Sequence, residues 1–162
     1  MNIKIFLFVF CVVSVNGFNN ILGTELEKCL RCICFATTFC NHLPNCVKAH
    51  INKKYWEDAG SPTLNYEKPS NQTYLKCMKD TNCVLNTMDT YTTGRGSKRD
   101  TNCDGKFDCK DRLAIHFNGL TVNYTLQPYQ ITRFDNCAIE NSVPTDEGWS
   151  GCDLGGINSV FF

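Results

Sequence analysis

The stretch CLRCICFATTFC, Cys29 to Cys40, places four cysteines within twelve residues and contains no carboxylate. It follows TELEK, in which Thr24 and Glu27 are spaced as a capping box: the hydroxyl can accept from the third helical N–H, and the carboxylate can reach back to the cap. Leu26, Leu30 and Ile33 recur at helical spacing, which predicts a buried helix from residue 25 to about 36. Cysteines on such a helix are placed to staple it to the rest of the chain.

The start of the chain has the pattern of a secretory signal peptide over residues 1–17. Lys4 supplies a basic start, IFLFVFCVV an apolar run, and Val15 and Gly17 small residues before cleavage. The run is too short for a membrane span, and no later segment suits one. Loss of Cys11 with the signal leaves Cys29, Cys32, Cys34, Cys40, Cys46, Cys77, Cys83, Cys103, Cys109, Cys137 and Cys152. Export and this density imply a disulfide framework in a secreted, extracellular protein, with connectivity open. The odd count leaves one thiol over, in a monomer, or a bridge to another chain. Sequons at Asn71 (NQT) and Asn123 (NYT) are candidate glycosylation sites. Sixteen basic and sixteen acidic residues cancel, so nothing draws the chain to nucleic acid or to an anionic membrane.

Further along, Tyr55 and Trp56 are core anchors ahead of a turn at Gly60, and residues 61–71 read as a surface loop rich in Pro, Ser and Asn. A helical region from about Thr73 to Thr93 divides near DTNC, with Asp80 as a cap and Gly94 as a stop. CKDRLAIHFNG is another helix ended by Gly119. Beyond Leu120 the expectation is loop with short strand-like pieces, then a tail from 138 to 162. One domain, residues 18–137, is thus mainly α (small α+β) and disulfide-rich.

Taken in order, CLRCIC, YWEDAG, the Cys77/Cys83 pair in YLKCMKDTNCVLNTMDTY, and CDGKFDCKDRLAIHFNG resemble the invertebrate-type lysozymes, the family that includes the destabilases, with Ala59 as in insect forms. The resemblance covers about residues 26–137. It implies a lysozyme-like fold and cleavage of peptidoglycan between its sugars, which requires a protonated carboxylic acid and an ionised carboxylate flanking one bond. The family acid, three residues after the third cysteine of CxxCxC, falls on Thr37. The family Asp lies in a loop that is shortened here to NHLPN, without an acid. A hydroxyl cannot replace a carboxylic acid near neutral pH. The lysine attributed to isopeptidase activity aligns with Asn52, with Lys53 one residue off. His116 is retained, as a candidate base or as a hydrogen-bonded structural residue. Among other acids, Asp58 reads as a turn residue, with Glu57 beside it, and Glu25 and Glu27 belong to the first helix start.

DTNCDGKFDCKD also follows a calcium loop. Asp100, Asn102, Asp104, Asp108 and Asp111 fall at ligand positions, with Gly105 at the sixth place. The twelfth ligand is Asp rather than Glu, and a turn held by its own side chains competes with the calcium reading.

Three functions remain open. The first is a catalytically impaired lysozyme-like protein that binds peptidoglycan, another glycan or a protein. The second is an active glycosidase using other residues, in defence or digestion. The third is a structural or toxin-like scaffold. The missing Glu/Asp pair favours the first.

Overall fold

A computed structural model describes residues 19–38, 51–94, 99–119 and 126–145. The expected signal peptide, Cys40, Cys46, Cys152, Asn123, the NHLPN loop and residues 146–162 lie outside the described residues. Six helices carry the fold, and no strand occurs among the described residues. They are α1 (Glu25–Thr38), α2 (Lys53–Asp58), α3 (Asn71–Cys77), α4 (Thr81–Gly94), α5 (Cys109–Asn118) and α6 (Pro128–Glu140), with a 3-10 turn at Leu64–Tyr66.

α1 is central. The Glu27 N–H donates to Thr24 Oγ1 at 3.2 Å, while the Glu27 carboxylate accepts from Gly23, one residue before the expected cap. Its inner face buries Cys29, Leu30, Cys32, Ile33, Cys34 and Ala36. α6 packs along α1, presenting Gln130, Phe134 and Ala138 at successive i+4 positions. α4 sits against α1, α2, α3 and α5 and is buried along Cys83–Met88. Its buried Thr87 and Thr92 hydroxyls donate to the carbonyls of Cys83 and Met88, both at 2.8 Å, which removes the cost of unpaired groups.

Three bridges are present among the described residues, where the sequence left the connectivity open. Cys29–Cys109 ties α1 to the start of α5, Cys32–Cys137 ties α1 to α6, and Cys77–Cys83 joins α3 to α4. The first two span 80 and 105 residues, so each constrains the unfolded chain by roughly 4.5–5 kcal/mol on a loop-entropy account. Cys103 is also disulfide-bonded. Cys34 is wholly buried with its Sγ 3.7 Å from Met88 Sδ, out of reach of a second chain.

α6 corrects the expectation of loop and strand-like pieces beyond Leu120. The Gln130 side chain reaches back to accept from the Gln127 N–H at 2.8 Å, around Pro128 at the first helical position. The expected domain boundary at 137/138 falls inside this helix, and Val143 beyond it joins the core. The expected break near DTNC is present between α3 and α4. Asp80 accepts from the Cys83 N–H at 2.8 Å. Trp56 is 1% exposed, and its indole donates to the Pro62 carbonyl at 2.7 Å.

Candidate functional site

Thr37 stands in the last turn of α1, partly buried, and its hydroxyl donates to the Ile33 carbonyl at 2.7 Å. A back-bonded threonine hydroxyl is a spent donor with no acidic proton to give. The two acids of α1 are at its other end: at 1.5 Å per residue, Glu25 lies about 18 Å along the axis from Thr37. Glu27 is engaged there by Arg31 and Gly23. Burial pushes its pKa up, but the Gly23 N–H and the Arg31 charge outweigh this and hold it below the ordinary value.

The acids of α2 are occupied as well. Asp58 pairs with Lys54 at 2.6 Å and Glu57 faces Lys53 at 3.7 Å. These are i,i+4 pairs on a helix surface. Asn52, where the resemblance puts a lysine, caps α2 by accepting from the Tyr55 N–H at 2.8 Å.

His116 is 7% exposed near the end of α5, with Nδ1 3.0 Å from the Tyr55 phenol oxygen. Tyr55 stacks on Tyr91 with ring centroids 3.6 Å apart. Burial above all, then the neighbouring Tyr91 and Cys34, hold the Tyr55 pKa well above its ordinary value, with Arg112 opposing. The phenol therefore stays protonated and shares one hydrogen bond with Nδ1. Gly119 ends α5 at φ 66°, a backbone conformation that favours glycine, and a Cβ there would press on the Tyr91 hydroxyl at 3.3 Å. This aromatic layer behind His116 was legible only in part: Tyr55 reads as a core residue in YWEDAG, while nothing local links Tyr91 to it.

The Asp-rich loop closes on itself. Asp100 accepts from the N–H groups of Asp104 and Gly105, at 3.2 and 2.8 Å. Asn102 donates to Asp104, which also accepts from Lys106 N, both at 2.9 Å. Asp108 is the N-cap of α5 and Asp111 its N3 partner, a capping box. The fully buried Asp111 carboxylate accepts from the Thr101 hydroxyl at 2.8 Å and from Asp108 N at 2.8 Å. Burial, with the charges of Asp111 and Asp104, raises the Asp108 pKa against the opposing backbone bonds. The carboxylates thus serve backbone N–H groups rather than a common centre. Among the described residues no three His, Cys, Asp or Glu side chains are arranged to hold a metal.

Asn71 is exposed at the first position of α3. No helix among the described residues is long and apolar enough to cross a membrane. Searches of curated proteins and of solved structures found no match. A family model described as Destabilase matches residues 26–140, a span holding α1 through α6 and all three described bridges. The chain therefore belongs to the destabilase family.

Proposed function

We propose that this is a secreted destabilase-family protein that binds bacterial wall glycan without cleaving it. The observation that supports this reading is the state of Thr37: the family's acid position holds a hydroxyl committed to the Ile33 carbonyl. Glycoside cleavage needs a carboxylic acid at one face of the bond and a carboxylate at the other. The shortened NHLPN loop carries no acid for the second role. Meanwhile the described helices keep a stapled framework, with bridges between α1, α5 and α6 and a closed apolar core. Retained framework with absent reagents suits a protein selected to hold its ligand rather than to turn it over. The disulfide density suits an oxidising compartment and hence export.

Cosedimentation tests this reading. The purified oxidised protein is expected to pellet with insoluble peptidoglycan after washing and to be displaced by soluble wall fragments. Protein that stays in the supernatant, like a reduced and alkylated control, would favour the scaffold reading instead.

A further inference from the structure

The sequon Asn71-Gln72-Thr73 lies across the first turn of α3, and its two functional side chains have opposite fates on folding. Asn71 is exposed, whereas Thr73 is 5% exposed. The Thr73 hydroxyl is the hub of the capping box. It accepts from the Ser70 N–H at 2.8 Å, donates to the Ser70 carbonyl at 3.0 Å, and lies 3.2 Å from Ser70 Oγ. A sequon is recognised through its third-position hydroxyl as well as its amide, and here that hydroxyl is withdrawn once α3 exists. We infer that Asn71 carries an N-linked glycan, and that the glycan is attached before α3 and its capping box form.

The donor is an oligosaccharide held on a lipid diphosphate. The Asn71 carboxamide nitrogen bonds to C1 of the first sugar. The bond from C1 to the diphosphate oxygen breaks, the lipid diphosphate leaves with that electron pair, and the nitrogen gives up one proton. The finished fold leaves the Asn71 side chain exposed among the described residues, as the product requires. The window for transfer closes with a local event: Cys77–Cys83 spans only 6 residues, and its formation pins the far end of α3 with no long-range contact required.

The test presents two forms of the unglycosylated chain to purified oligosaccharyltransferase and lipid-linked oligosaccharide. One is refolded and oxidised; the other is reduced and unfolded. Mass spectrometry reads occupancy at Asn71 separately from Asn123. Transfer to the unfolded chain is expected to be at least about tenfold faster, because the folded chain must first open its capping box. Asn71→Gln removes the signal in both forms. Thr73→Ser, which keeps the sequon, remains an acceptor when unfolded. A chain with Cys77→Ser and Cys83→Ser stays an acceptor under oxidising conditions for longer than the parent. Equal transfer to folded and unfolded parent would overturn the ordering, and no transfer to the unfolded parent would overturn the site. Neither arm depends on export or on wall binding.

Discussion

The Tyr55 phenol oxygen and Nδ1 of His116 are hydrogen-bonded across 3.0 Å, inside a layer closed by Tyr91. This bond fixes the orientation of the ring. Tyr55→Phe leaves Nδ1 without this partner and is expected to cost about 1–3 kcal/mol, the usual penalty for a buried polar group deprived of its partner. Urea unfolding would show it as a lower midpoint at unchanged slope. Retention on peptidoglycan should not change. A variant as stable as the parent but unable to pellet would instead place this pair in the ligand surface.

Glu27 makes the acid limb of stability partly its own. Its folded pKa is depressed by Gly23 and Arg31 against the effect of burial. A depressed carboxylate contributes stability above its unfolded pKa and loses it as pH falls through the folded value. The parent should therefore lose stability below about pH 4.3 more steeply than Glu27→Gln. At neutral pH the variant should be the less stable of the two. Parallel pH profiles for the two proteins would contradict this account of Glu27.

The Asp-rich loop should hold its shape without a cation. Melting of the oxidised protein is expected to be the same in chelator and in millimolar calcium, since a ligand that binds only the folded state would raise Tm. Asp111→Asn is expected to cost about 1–3 kcal/mol by weakening bonds to the Thr101 hydroxyl and the Asp108 N–H. A calcium-dependent rise in Tm that Asp104→Asn abolishes would restore the metal site.

Much of this architecture was legible because local signals and burial agree. In TELEKCLRCIC the cap, the apolar spacing and the cysteines all specify one helix. Asp80 and Gly119 punctuate α3–α4 and α5 as their chemistry predicts. α6 was missed although QPYQ carries a cap and an N1 proline, because Thr125, Ile131 and Thr132 favour extended chain locally. Its amphipathic face has meaning only against α1, through Phe134 and the Cys32–Cys137 bridge. In the Asp-rich loop the same residues satisfy two patterns. The ninth and twelfth places of a calcium loop are also D-x-x-D ahead of an apolar run, and folding used them as N-cap and N3 of α5. Pattern alone could not choose between them.

Restoring one acid should not restore turnover. Thr37→Glu replaces a hydroxyl whose bond to Ile33 contributes little, so the variant should fold. It should still leave a wall suspension turbid, because the second carboxylate remains missing. Clearing by this variant would mean that another side chain already supplies the ionised partner.

The most direct measurement is the release of reducing ends from purified peptidoglycan by the oxidised, folded wild-type protein. The expected result is a rate indistinguishable from that of the reduced, alkylated chain. Release above that control, abolished by replacing one carboxylate of this chain, would show that the glycosidic oxygen does receive a proton here, and the account of a binder without reagents would fall.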